Sequence, residues 1–175
     1  MTSPTAADLW RRGDLPGAIA AQTGDWDRAA SHLRALAAAD GEYQRAVAFH
    51  RALLTAEIHR QGVFEGEASP VVPEAAPAHV DHRLAALAAW RNDDLDEAAR
   101  RIDAAVAAQP PLAGEVDGEA FTAWRDLDDL LGSVCEVFSG GRYLWLPWED
   151  IRELEVSPPT RLPDLVWLPA RITTR

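Results

Sequence analysis

Helix punctuation constrains this chain more than any other feature of its sequence. Three places carry the pattern Gly/Asp-Asp-Leu/Trp-x-x-Ala: Gly13-Asp14-Leu15 with Ala18, Gly24-Asp25-Trp26 with Ala29, and Asp93-Asp94-Leu95 with Ala98. In each, a Gly or Asp ends one helix and the next Asp caps the following one. The Leu/Trp and the Ala then fall one turn apart, on the face turned toward the preceding helix. The segments that follow have the helical period: Trp26, Ala29, Ala30, Leu33 and Ala37 form one stripe, and Leu95, Ala98, Ala99, Ile102, Ala105 and Val106 form another. Much of the 47% apolar content is alanine. Alanine favours helix and adds little volume, so short, closely packed helices are the natural outcome.

Two further helices are expected between these stripes, a long one from about Glu42 to Gln61 on Tyr43, Val47, Leu54 and Ile58, and a shorter one from His82 to Trp90. From Trp26 to Leu95 is 69 residues, about twice a tetratricopeptide repeat of 34. From Leu15 to Trp26 is only 11, room for one short helix. Residues 1–108 are therefore expected to form tetratricopeptide-like helical hairpins interrupted by a Pro-rich loop at 65–80.

The prolines and glycines of Gln109 to Glu119 mark a second loop and a change of composition, because alanine becomes rare and four of the seven tryptophans follow. Beyond it, strands are expected over Ala120 to Arg125, Val134 to Phe138 and Arg142 to Leu146, the last two joined by a Ser139-Gly140-Gly141 turn. Trp148 to Leu154 reads as a helical turn, and Leu165 to Ile172 as another extended segment. The fold class expected is α+β: helical hairpins, then a small Trp-rich antiparallel β subdomain over 117–175.

A formal charge of −11 disfavours nucleic acid, whose phosphates attract clustered basic residues, and it disfavours anionic membrane surfaces for the same reason. No apolar run approaches the roughly 20 residues that span a bilayer, and Met1 to Arg12 lacks a signal-peptide core, so a cytoplasmic location is expected. The single cysteine, Cys135, makes no internal disulfide.

Few residues invite a chemical reading. Asp126, Asp128 and Asp129 form a dense carboxylate group near aromatic residues. On a strand, Asp126 and Asp128 would share a face suited to a divalent cation or to acid–base work, with Arg125 and Arg142 as ion-pair partners. No phosphate-binding loop, EF-hand spacing or supporting histidine accompanies them, so a structural role is the expectation and a metal-dependent hydrolase the alternative. His79 and His82 share a helical face but lack the further ligands of a zinc site. Cys135, between Val134 and Val137, reads as a small buried side chain. Trp124, Trp145, Trp148 and Trp167 read as the core of a small sheet before a ligand pocket. Trp145 and Trp148 cannot both face inward from one strand, which makes one of them an interface candidate. Stacked hairpins leave a groove for an amphipathic helix, with Tyr43, His50, Leu54 and Glu57 as candidate contributors. No catalytic residue, metal or cofactor is expected.

The tail has a more specific pattern: D-G-x-x-F (Asp117 to Phe121), Trp124, Asp126 and Asp128, Leu131-Gly132, Glu136, G-R-Y-x-W-x-P (Gly141 through Tyr143 and Trp145 to Pro147), Ile151, Pro159, and D-L-x-W-x-P (Asp164 through Trp167 to Pro169). Upstream stand Gly24-Asp25-Trp26-Asp27-Arg28-Ala29, then Ala56-Glu57, Arg60, Val63-Phe64, Gly66 and Pro70. Taken together these resemble the ImpE/TagJ (SciE-type) family. The resemblance implies a non-catalytic accessory protein of type VI secretion that binds the N-terminal helix of the sheath subunit TssB and associates with the ClpV ATPase. It also implies two departures, one helical pair fewer between Ala18 and Gly24 and a C-terminus shorter than is usual in the family. A shortened structural remnant of that family is a further alternative.

Overall fold

The computed structural model describes residues 44–160 and 162–175, so Trp26, Tyr43 and the corners at Asp14 and Asp25 lie outside the described residues. The described part is α+β, with three helices followed by three antiparallel strand pairs.

Helix α1 (Gln44–Glu65) runs four residues past the expected end at Gln61. It stops where Gly66 takes a φ of +91°, a left-handed position that glycine adopts without strain, and the amide of Glu67 closes on the Gly62 carbonyl at 2.8 Å. Helix α2 (Ala78–Arg91) begins four residues before the expected His82. Pro77 lies just outside the first turn, and the Val80 amide bonds back to its carbonyl at 2.9 Å, so the proline starts the helix instead of prolonging the loop. Arg91, at the far end of α2, donates to the Val63 carbonyl at 2.8 Å and covers an open acceptor of the last turn of α1.

The third corner forms its expected cap, but Leu95, expected to face the preceding helix, is 59% exposed and Ala99 and Val106 are exposed too, so of that stripe Ala98 and Ala105 alone are buried. Asp93 takes a left-handed φ of 59°, and the Asp94 carboxylate accepts from the Glu97 amide at 3.0 Å to cap α3 (Leu95–Ala108). Helices α2 and α3 pack as a hairpin, and Ala86, Ala89, Ala98 and Ala105 along them are buried.

The segment expected as loop after α3 holds a tight ribbon, β1 (Gly114–Val116) with β2 (Glu119–Phe121), turned by Asp117 and Gly118, both at positive φ. Asp-Gly with that geometry is the favoured two-residue hairpin turn, and it ends the expected strand at Phe121 instead of Arg125. Next come β3 (Val134–Ser139) and β4 (Arg142–Pro147), joined by Gly140 and Gly141 at positive φ. A single 3-10 turn at Trp148–Asp150 leads into β5 (Ile151–Val156) where a longer helical turn was expected. Leu154 and Val156 alternate with Glu153 and Glu155 there, the period of a strand with one wet face. After a 3-10 turn at Leu162–Leu165, β6 (Ala170–Thr174) pairs with β5. The one small sheet expected is thus three separate two-stranded pairs.

The core sits between the helices and one face of β3–β4. Glu136 stands opposite Trp145 and Phe138 opposite Tyr143, and this face closes on Val63, Val80, Leu87 and Leu131. Val71, from the loop between α1 and α2, bonds to β4 on both sides: its amide donates to the Tyr143 carbonyl at 3.0 Å, and its carbonyl accepts from the Trp145 amide at 2.9 Å. No described helix is long and apolar enough to cross a membrane.

Candidate partner-binding cleft

Because side chains alternate along a strand, the face of β3–β4 that does not meet the core carries Cys135, Val137, Leu144 and Leu146. All four are apolar, and they form the floor of an open cleft of 910 Å³. Helix α1 supplies one wall with Phe49, Leu53, Glu57 and Arg60, spaced to lie along one side of the helix. The β5–β6 pair supplies the other with Leu154 and Ile172, which are cross-strand partners, and with Val156 opposite Ala170. Its opposite face carries Glu155 and Arg171, an exposed ion pair of little energetic weight.

A strap over residues 164–169 closes the end of the cleft. Its Asp164 is 2% exposed and accepts from the Thr160 amide at 3.0 Å and hydroxyl at 3.1 Å, while Trp167 reaches across to α1 and donates its indole N–H to Glu57 Oε1 at 2.8 Å. Pinning that tryptophan leaves its neighbours outward: Val166 is 52% and Leu168 59% exposed. Leu154, Val156 and Phe49 are also exposed along the same rim. Scattered exposed apolar residues are normal, but these five stand around one apolar floor, which makes the cleft a candidate interaction site.

Beneath the cleft, positions far apart in sequence meet in one network. Arg60 donates to Glu136 Oε1 at 2.9 Å, the Tyr143 hydroxyl donates to the same oxygen, and Trp145 Nε1 donates to the Tyr143 hydroxyl at 2.6 Å. Burial, and then the adjacent Glu136 carboxylate, hold Tyr143 well above the usual phenol range, so the hydroxyl keeps the proton it donates. The Arg60 guanidinium also lies over the Phe64 ring at 4.8 Å. Arg60, Phe64, Glu136, Tyr143 and Trp145 thereby join α1 to β3–β4.

Asp126 and Asp128 are not on a strand and share no metal-binding face. Asp126 Oδ1 accepts from the Asp128 amide and Asp128 Oδ1 from the Leu130 amide, both at 2.8 Å, two successive Asx turns that shape their own loop. Arg125 pairs with Asp129. Among the described residues no group of three or more potential ligands could hold a metal ion. His79 is fully buried and bridges Ser133 Oγ at 2.8 Å and Glu149 Oε1 at 2.6 Å, so it does not meet His82 at a common ligand.

The tryptophans divide. Trp145 is fully buried, Trp167 forms part of the cleft, and Trp124, 38% exposed, meets Trp148 edge-on with ring centres 5.8 Å apart and stacks near Phe121. Trp148 is half-buried. Of the four candidate groove residues, Glu57 lines the cleft; Leu54 and His50 are buried, and Tyr43 lies outside the described residues. Gly132 and Pro147 are buried as well, Gly132 so close to Arg83 that a Cβ would lie 2.7 Å from Nη2.

Sequence reasoning missed two things. The first is Arg83, a charged residue with 1% exposure, whose signal was its place three residues after Val80 and four before Leu87, on the core stripe of α2. The second is the rim, since nothing local tells that Phe49 and Leu168 line the same cleft.

Residues 118–175, which include the whole β3–β4 pair and the strap, match the ImpE protein family. Over 156 residues, 89% of this chain, the sequence is 35% identical to the type VI secretion system accessory component TagJ of Pseudomonas aeruginosa. The chain spans 55% of the length of that relative. The crystal structure of protein VPA1032 from Vibrio parahaemolyticus has the same fold, with a TM-score of 0.84 over 94% of this chain and 61% of that one, at 22% identity. The tail pattern and the similarity along most of the chain point the same way: residues 118–175 match the ImpE family, and the chain is similar over most of its length to a type VI secretion accessory component.

Proposed function

We propose that the chain is a non-enzymatic adaptor of the type VI secretion apparatus, working in the cytoplasm, which takes the N-terminal helix of the sheath subunit TssB and links it to the ClpV ATPase. The kinship to an accessory component of that system supports the pathway. The observation that carries the binding role is the open apolar cleft, with its floor of β-sheet side chains and its exposed rim. In this reading the helical part, 1–108, is a set of tetratricopeptide-like hairpins, and the mostly-β part, 117–175, completes the binding surface. The aspartates are engaged with their own loop, which favours binding over hydrolysis as the protein's work.

Magnitudes favour the whole cleft over the rim alone. Burying the rest of five half-exposed apolar side chains contributes on the order of 5 kcal/mol, no more than the cost of association itself. The floor must therefore be covered too for a micromolar complex, which needs about 8 kcal/mol net. Calorimetry with a peptide of the TssB N-terminus is expected to give a dissociation constant of about 1 μM or tighter. A titration without heat, together with no competition at high peptide concentration, rejects the reading.

A further inference from the structure

The charged groups of the cleft are unevenly engaged. Glu136 accepts from both Arg60 and Tyr143, and Asp164 accepts twice from Thr160. Glu57 accepts from the neutral indole of Trp167, one hydrogen bond for a carboxylate with about four acceptor positions. It stands partly exposed on the α1 wall, where Phe49 and Leu53 give way to charge, and the chain around it carries a net charge of −11. Arg60, one turn further along α1, sets a positive charge near it, and apolar side chains of the strap and of the facing β5–β6 wall line the same cleft. An apolar trough with one under-used carboxylate on its wall complements a segment that is apolar on one side and basic at the edge of that side.

We infer that the occupant of the cleft is a cationic amphipathic helix, its apolar stripe lying on Val166, Leu168, Leu154 and Val156 and a lysine or arginine at the stripe's edge meeting Glu57. The inference rests on the adaptor reading and adds to it the docking residues and the charge of the partner. Trp167 serves as the hinge post: its bond to Glu57 holds the strap at the cleft's end, and the incoming cation shares that carboxylate.

The test uses the full chain and the TssB N-terminal peptide as probe. The double substitution Val166→Glu/Leu168→Glu is expected to weaken binding about 100-fold, because it sets two charges against an apolar stripe. Its melting temperature is expected to match the parent's, since both residues are more than half exposed. Glu57→Gln keeps an oxygen for Trp167 and removes the charge. It is expected to weaken binding about 5-fold at low ionic strength and to flatten the salt dependence. If the parent binds the peptide but the double variant binds equally well, the docking site is wrong while the adaptor reading stands. If Glu57→Gln leaves affinity and salt dependence unchanged, the cationic partner is wrong. A drop of several degrees in the melt of the double variant overturns the site, because it means the rim is covered by the chain itself. Affinity that varies with protein concentration overturns it in favour of a second copy as occupant. A parent that binds no peptide removes both the inference and the reading beneath it.

Discussion

Replacing Arg83 with alanine is expected to cost about 3 kcal/mol of folding stability and to loosen residues 126–133. The side chain lies at 1% exposure and donates to the carbonyls of Asp129 at 2.6 Å and Leu130 at 3.0 Å, and through Nε to Ser133 Oγ. These bonds hold the loop that carries the Asx turns of Asp126 and Asp128 down onto α2. They are charge-assisted, and removing the donor leaves buried acceptors unpaired, each costing about 1–3 kcal/mol where water cannot reach it. Burial works against the charge and lowers the Arg83 pKa, with the Arg125 charge adding to the effect, yet an arginine stays protonated. Lysine at this position is expected to recover little, because one ammonium cannot reach in three directions from the plane of a guanidinium. Gly132→Ala should resemble it, since the added methyl would meet Arg83 and displace the same bonds. Urea unfolding measures the effect; an Arg83→Ala loss below about 1 kcal/mol contradicts the clamp.

The second large effect is expected at Trp145. The indole is fully buried among Val63, Leu87, Val134 and Tyr143, and its N–H is bonded to the Tyr143 hydroxyl. Truncation to alanine removes a large buried surface and opens a cavity at the centre of the core, for about 3–5 kcal/mol. Against a total of about 5–15 kcal/mol for an ordinary domain, that brings the fold to its margin. Phenylalanine keeps most of the volume and loses the hydrogen bond, so it should fall between the two. If alanine and phenylalanine melt together near the parent, Trp145 is not the packing centre described.

How much of this was legible depended on how local its cause is. The Asp93-Asp94-Leu95 corner was readable because capping and a left-handed residue are chemistry within a few residues. The β3–β4 pair was readable from apolar strands flanking two glycines. The Asp117-Gly118 turn carries an equally local signal, but strands of three residues on a proline-rich background hid it. The start of β5 was obscured because Trp148–Asp150 does form one helical turn, and only the later alternation of Leu154 and Val156 with glutamates reports a strand. Asp126 and Asp128 looked chemical because two carboxylates were read on an extended chain; the competing local reading, in which each bonds the amide two residues on, prevailed. The cleft was beyond reach for a different reason. Trp167 meets Glu57 across 110 positions of sequence, and no periodicity along α1 tells which helical side faces a strap so distant.

The central claim is that a partner lies on the face of β3–β4 turned away from the core, and Cys135, the sole cysteine, sits on that face. Burial, and then the nearby Asp126 and Glu136 carboxylates, push its thiol up to about 11, so iodoacetamide should attack it slowly at pH about 8.5 and faster as the pH rises toward 11. At pH about 9, a saturating amount of the TssB peptide should slow that alkylation by about 10-fold or more, because the bound helix covers the floor. An alkylation rate unchanged by peptide that calorimetry shows to be bound contradicts the account, and places the partner somewhere else on the chain.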